Sequence, residues 1–278
     1  MPRVDAQAQA PTFRAAAEGV TVEVSVQAGN RPVTGLRLSD FTLHDNGVPQ
    51  TIVDLTYATV PIDVTVVLDI SFSVSGALLD RLQRAVAQLV RDLPPHDRLR
   101  LLMFNARVAE VVDYTTDSTT IERAIKSAQA GGGTALHDAI SLALVSARAP
   151  GRRQLVVVFT DGSDASSISG LSDLHRVAER TTATLAMVMP GARGATGRLF
   201  GVPPALVELV ESTAGTIVPF RSGEDLETVF RRILDGFRAT YVLHFTPTGV
   251  ERHGFHELRV GVSRSNATVT SRRGYFAR

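Results

Sequence analysis

The chain of 278 residues contains no cysteine. That excludes disulfides, thiolate metal sites and a cysteine nucleophile, and it leaves the redox compartment undecided. It also lacks any apolar run near the roughly 18 residues needed to cross a bilayer, so no transmembrane segment is expected. Charge of one sign is missing too: 29 Lys and Arg against 28 Asp and Glu leave a formal net charge of +1. Neutralising phosphates takes a concentrated basic face that this composition does not supply, so nucleic acid is not an expected partner. What is present, 44% hydrophobic and 21% charged residues, suffices for a sizeable core, divided between one medium domain and a smaller one.

The N-terminal residues 1–18 read as a disordered segment. Within them Ala6-Gln7-Ala8 has the small-x-small form of a signal-peptide cleavage site without an apolar region before it. Two readings stay open, the tail of an export signal or an Ala/Gln-rich terminus. From Val20 to Gln27 valines alternate with polar residues, the period of a half-buried strand. Turn chemistry at residues 28–32 precedes a short segment at 36–38 and a strand at 41–44. Asp45-Asn46-Gly47 then supplies the positive-φ positions of a tight hairpin, and residues 49–57 are the expected return strand. At Pro61 the texture changes to strands alternating with helical stripes. Strands are expected at 63–68, 99–104, 108–112, 155–159, 185–188 and 216–219, the third as an antiparallel edge. Helices are expected at 77–92, 118–128, 135–147, 172–182, 204–213 and 224–237. Alternation of this kind specifies an α/β fold with a doubly wound, mainly parallel sheet flanked by helices. After residue 238 strands return at 239–245, 255–263 and 267–271. Neither terminal set has enough strands to close a core alone. The expectation is therefore a β-sandwich built from residues 19–60 and 239–278, with the α/β domain of residues 61–238 inserted between its halves.

Three loops of that central domain carry oxygen-bearing side chains. The apolar strand at 63–68 delivers Asp69, Ser71 and Ser73, two residues apart, into a turn before a helix. Gly131-Gly132-Gly133 leads into Thr134 at the start of another helix, where the missing Cβ atoms allow close backbone approach. The very apolar strand at 155–159 ends in Thr160-Asp161-Gly162. In open α/β sheets ligands bind beyond the carboxyl ends of the strands, so one rim would gather all five side chains. Hydroxyls and carboxylates without His or Cys suit Mg²⁺, Mn²⁺ or Ca²⁺ and do not select Zn²⁺ or copper.

Asp-x-Ser-x-Ser, a Thr in a glycine loop and Thr-Asp-Gly after an apolar strand, in this order, resemble the metal-ion-dependent adhesion site of von Willebrand factor A domains. The flanks, Asp40-Phe41, Asn46-Gly47-Val48-Pro49-Gln50, Tyr241-Val242-Leu243 and Arg272-Arg273-Gly274-Tyr275-Phe276, are similar to those of bacterial proteins related to that family. The resemblance implies that Ser71, Ser73 and Thr134 ligate a divalent cation directly, Mg²⁺ before Mn²⁺ or Ca²⁺, and that Asp69 and Asp161 act through bound water. It implies a coordination position for the Glu or Asp carboxylate of a partner protein. It also implies an extracytoplasmic setting, secreted or periplasmic.

Simpler readings exist for each part. Asp69, Ser71 and Ser73 could form a turn and cap a helix, Thr134 could be an N-cap, and Asp161-Gly162 is an ordinary strand exit. Asp138 reads as a first-turn dipole partner, Ser163, Asp164 and Ser166 as a solvated loop, and residues 193–200 as a flexible loop. The seven histidines, His44, His96, His137, His175, His244, His253 and His256, show no ligand spacing and read as solvated or core-edge residues. An enzyme is not expected. A phosphoryl-transferring hydrolase using Asp69 would want a carboxylate where Ser71 stands, no Gly-x-Ser-x-Gly elbow is present, and Gly131-Gly132-Gly133-Thr134 lacks the Lys of a nucleotide loop. The two surviving functions are a metal-dependent protein-binding module and a structural or assembly scaffold whose metal site only stabilises.

Overall fold

The computed structural model describes residues 19–29, 31–145, 149, 151–191, 202–221 and 223–277. The expectations for residues 1–18 and 193–200, and the last residues of the helix expected at 135–147, lie outside them.

The valine alternation forms β1 (Val20–Ala28), with Val22, Val24 and Val26 buried, and a two-residue strand β2 (Arg31–Pro32) pairs back onto it. A single 3-10 turn at Leu38–Asp40 leads into β3 (Phe41–Asp45). Asn46 and Gly47 both take positive φ, 47° and 80°, the turn that matches strand twist, and β4 (Val48–Gln50) returns against β3. The return strand expected at 49–57 is two strands: pairing breaks at Thr51, and β5 (Ile52–Tyr57) joins a different sheet. Gln50 pairs with Leu43 of β3, whereas Ile52 pairs with Phe245 of a later strand in the other sheet, so the chain changes sheets at this point.

The central unit runs β6 (Ile62–Asp69), α1 (Ala77–Asp92), β7 (Arg98–Phe104), β8 (Val108–Thr115), α2 (Ser118–Lys126), α3 (Leu136–Leu144), β9 (Arg153–Phe159), α4 (Leu171–Arg180), β10 (Thr184–Pro190), α5 (Pro204–Ser212), β11 (Thr216–Phe220) and α6 (Leu226–Arg238). Its strands form one sheet in the order β11-β10-β9-β6-β7-β8. All pairs are parallel except β7 with β8. Every residue of β6 and β9 is buried, as strands covered on both faces must be. One face carries α1, α2 and α6 through Leu82, Val86, Ile121 and Phe230. The other carries α3, α4 and α5 through Ile140, Leu174 and Leu209. Strand order reverses between β6 and β9, so a crevice opens beyond their carboxyl ends.

The chain then adds β12 (Tyr241–Phe245), β13 (Gly254–Val262), β14 (Thr268–Ser271) and β15 (Gly274–Ala277). These pair with the N-terminal strands. β1 lies between β12 and β14 in the order β14-β1-β12-β5, and β13 pairs with β3 in the order β15-β13-β3-β4. Val22, Val24, Phe41, Leu43, Tyr241, Leu243 and Leu258 from both sheets share one core. β15 was not expected, because two arginines precede it and a glycine opens it. Gly274 is there for space, since a Cβ would overlap the carbonyl oxygen of His256 on the paired strand.

His256 corrects the expectation of a solvated or core-edge residue. It is 1% exposed, its Nδ1 lies 2.8 Å from Asp45 Oδ1, and Tyr275 donates to Asp45 Oδ2 at 2.8 Å. The pleat turns His256 and Leu258 inward and leaves Phe255 exposed.

A buried arginine helps to join the two units. Arg153 opens β9 and donates through Nε and Nη2 to the Glu23 carboxylate of β1, at 2.9 Å each. Its Nη2 also reaches the carbonyl of Phe237 in α6 at 2.9 Å and the hydroxyl of Thr240.

Candidate functional site

Strand β6 carries a carboxylate at each end, and the two are treated differently. Asp63, at the amino end, accepts both forks of Arg98 at 2.9 and 2.7 Å and Arg152 Nε at 2.6 Å. Asp69, at the carboxyl end, is fully buried. It is held by neutral donors, the Ser71 backbone N–H at 2.9 Å and the Thr160 hydroxyl at 2.9 Å. Burial pushes its carboxyl above the usual range and the nearby Asp161 adds to this, against the hydrogen bonds from Ser71 and Thr160. Asp161 sits just past β9. Burial works against its charge as well, but the Ser163 backbone N–H at 2.9 Å and the Ser73 hydroxyl hold its carboxyl below the usual range. Among the described residues no Lys or Arg forms an ion pair with Asp69 or Asp161.

The hydroxyls converge on the same rim. Ser71 Oγ and Ser73 Oγ are 3.1 Å apart, and Ser71 and Thr134 are buried. Backbone hydrogen bonds stitch the loops together. Gly131 N–H donates to Ile70 C=O at 2.8 Å and Phe72 N–H to Gly132 C=O at 3.3 Å, joining the glycine loop to the turn after β6. Ala165 and Ser166 N–H both donate to Thr134 C=O at 2.9 Å, joining it to the segment after β9. Gly132 has φ +83°, and a Cβ on Gly133 would overlap Ser166 Oγ, so the cradle depends on the glycines. All five expected residues, Asp69, Ser71, Ser73, Thr134 and Asp161, therefore belong to one stitched rim.

Two supporting residues were underestimated from sequence. Thr160 is fully buried and orients Asp69; its place next to Asp161 was the available signal. Asp138 does lie in the first turn of α3, as expected, but it also accepts from Ile168 N–H at 2.8 Å and Ser169 N–H at 2.9 Å. It thereby clamps the loop that had read as solvated. His137 adds its N–H to Asp164 at 3.2 Å. Only proximity in three dimensions shows these bonds, which span about thirty positions.

The donor set fits a hard divalent cation: two carboxylates and three hydroxyls, all oxygen, in a cradle cleared by glycine. Among the described residues no group of three or more His, Cys, Asp or Glu is placed to hold a metal, so any cation here depends on the hydroxyls.

A doubly wound α/β domain with an oxygen-lined rim at its switch point is the class that this geometry defines. Residues 64–163 match the family model of the von Willebrand factor type A domain, a span that includes all five rim residues. The centre of the chain thus resembles a von Willebrand factor type A domain. No curated protein matches the chain. Among solved structures it is similar to a von Willebrand factor type A protein from Catenulispora acidiphila, with 12% identity over 95% of this chain and 75% of that one and a TM-score of 0.53. It is also similar to the PilB minor pilin from Streptococcus sanguinis, with 12% identity over 65% of this chain and 62% of that one and a TM-score of 0.51. A third is an aerotolerance-related membrane protein from Bacteroides fragilis, with 18% identity over 63% of this chain and 98% of that one and a TM-score of 0.50. At these identities the likeness concerns the fold.

Proposed function

We propose that the chain is a metal-dependent protein-binding module. Its central domain, residues 61–238, holds a divalent cation, Mg²⁺ before Mn²⁺ or Ca²⁺, on the hydroxyls of Ser71, Ser73 and Thr134, with Asp69 and Asp161 acting through water. The observation that carries this reading is the contrast along β6: Asp63 is neutralised by two arginines, whereas Asp69 and Asp161 face each other's charge with no ion-paired cation among the described residues. Buried charge without a partner is costly, and a bound cation would relieve it. When bound, such an ion supplies a Lewis-acidic position for an external carboxylate, here a Glu or Asp of a partner protein. The chain's part is to fix the hydroxyls and to orient the two carboxylates. We read the module as a binder and not an enzyme.

The two antiparallel sheets formed by residues 19–60 and 239–278 are read as one β-sandwich domain that carries the module. An extracytoplasmic setting, secreted or periplasmic, goes with this reading. Its support is that the similar structures include a minor pilin and a membrane protein.

Thermal unfolding of EDTA-treated protein against Mg²⁺, Mn²⁺ and Ca²⁺ tests the site. Binding to the folded state raises stability by RT ln(1 + [L]/Kd), about 2.7 kcal/mol at a hundredfold excess over Kd. A saturable rise that is lost in Asp69→Ala and in Thr134→Ala is expected. Unchanged midpoints for the wild type at millimolar metal would leave the loops with a structural role.

A further inference from the structure

We infer that Phe72 and Ile168 form an apolar rim around this site, and that the partner is a protein segment whose carboxylate is flanked by apolar side chains. The inference rests on the metal reading above and deepens it. Among the described residues these are the two most exposed large hydrophobic side chains, at 74% and 97%. Single exposed apolar residues are ordinary on a soluble surface. Here the two extremes fall on two loops of the same site, Phe72 between Ser71 and Ser73, and Ile168 on the segment tied to Thr134.

The backbone of each is held in place while its side chain stays exposed. Phe72 N–H donates to Gly132 C=O at 3.3 Å, and its ring edge lies 3.9 Å from the position a Cβ on Gly131 would take. At the other end of the glycine loop Ser166 crowds Gly133. Two residues on, Ile168 and Ser169 are clamped by the two oxygens of Asp138. Nothing in the turn chemistry of Ser71–Ser73 or of Ser166–Gly170 asks for Phe or Ile. Fixed, exposed apolar groups gain when a partner covers them, and by excluding water they strengthen a polar contact at the centre.

The centre decides the partner's chemistry. The rim presents oxygens awaiting a cation, so the complementary group is a carboxylate, and the flanking positions call for apolar side chains. A lipid surface would instead want basic residues beside the inserted ones. The loops 69–76, 130–134 and 161–170 contain no Lys or Arg, but they do contain Asp69, Asp161 and Asp164.

The test uses three immobilised amidated peptides, Gly-Leu-Glu-Leu-Gly, Gly-Ser-Glu-Ser-Gly and Gly-Leu-Gln-Leu-Gly, with the whole chain in solution in Mg²⁺ or in EDTA. The Leu-Glu-Leu peptide is expected to bind wild type in Mg²⁺ about tenfold or more tightly than the Ser-Glu-Ser peptide. Phe72→Ser and Ile168→Ser, separately and together, should erase that preference while leaving the Mg²⁺-dependent thermal shift unchanged. Ile168 touches so little of the fold that its single variant remains a fair test if Phe72→Ser does not fold. Metal-dependent binding of both Glu peptides with equal strength overturns the apolar rim alone. Binding that ignores EDTA and includes the Gln peptide overturns the metal–carboxylate reading beneath it. No binding of any peptide at millimolar concentration, or binding to phosphatidylglycerol vesicles that Ile168→Ser abolishes, overturns the inference.

Discussion

Asp45 and His256, 211 positions apart in the chain, meet at 2.8 Å in the core shared by the two antiparallel sheets. Tyr275, on the neighbouring strand, completes the cluster by donating to the other oxygen of Asp45 at 2.8 Å. Burial, reinforced by the Asp45 carboxyl, pushes the Tyr275 hydroxyl far above its ordinary range, so it stays a donor. The cluster thus fastens the first sequence half of these sheets to the second. Asp45→Ala takes the acceptor from the buried His256 and from the half-buried Tyr275 hydroxyl and should cost about 1–3 kcal/mol, the usual cost of a buried group left unpaired. Tyr275→Phe, which leaves His256 paired, should cost about 1–2 kcal/mol. Urea midpoints at constant slope report both, and an unchanged midpoint for Asp45→Ala would remove the fastening role.

Arg153 does the same between the two units. Its guanidinium lies 4.0 Å from the ring centre of Phe237 while its nitrogens serve Glu23, Phe237 and Thr240. Replacing one member of a buried pair leaves the other uncompensated, and the usual cost is about 3–5 kcal/mol. Arg153→Met should therefore destabilise by that order. Glu23→Gln in the same chain should recover part of the loss, giving a double variant milder than the sum of the singles. Strict additivity in urea unfolding would mean that the pair does not couple the units.

The clamp on the loop after β9 should be sensitive to acid. Two backbone N–H groups, from Ile168 and Ser169, with the neighbouring His137, hold the Asp138 carboxyl below its ordinary value despite partial burial. A carboxyl whose folded value is depressed contributes stability above its unfolded value, near pH 4, and loses it as pH falls through the lower folded value. Asp138→Asn should consequently be less stable than wild type at pH 7, and the gap should close as pH falls below about 4. Asp164 lies on the same loop, so the comparison is made in an Asp164→Asn background as well. A gap that stays constant to pH 2 would assign the effect to packing and not to the charge.

The parts of this molecule legible in the sequence are those set by local pattern. The unbroken apolar runs of β6 and β9, the valine alternation of β1 and the Asn46-Gly47 turn each announce their element, and the spacing of Asp69, Ser71 and Ser73 places them on one turn. What the sequence hides depends on distant partners. β15 follows two arginines and needs its pairing with β13 to exist. The break at Thr51 is a change of sheet that alternation cannot register. His256 looks polar and Phe255 looks like core, yet the first is buried, where it meets Asp45 of the neighbouring strand. Thr160, beside the obvious Asp161, orients Asp69 only because β6 and β9 are neighbours.

That last relationship can be tested through the site it supports. The Thr160 hydroxyl donates to Asp69 Oδ2 while Ser71 N–H occupies Oδ1, so both oxygens of the carboxylate are fixed in direction. Thr160 is a positioning residue: it touches the carboxylate and reaches the proposed cation only through it. Losing a partner that orients a metal-binding group typically weakens affinity about 10–100-fold. Thr160→Val keeps the shape and removes the donor, so it should raise the Mg²⁺ concentration needed for half of the thermal shift by about that factor. Thr160→Ser keeps the hydroxyl and should restore the wild-type midpoint, which a purely steric role for the methyl group would not allow. Equal Mg²⁺ midpoints for wild type and Thr160→Val, with the fold intact by circular dichroism, would show that Asp69 needs no such orientation.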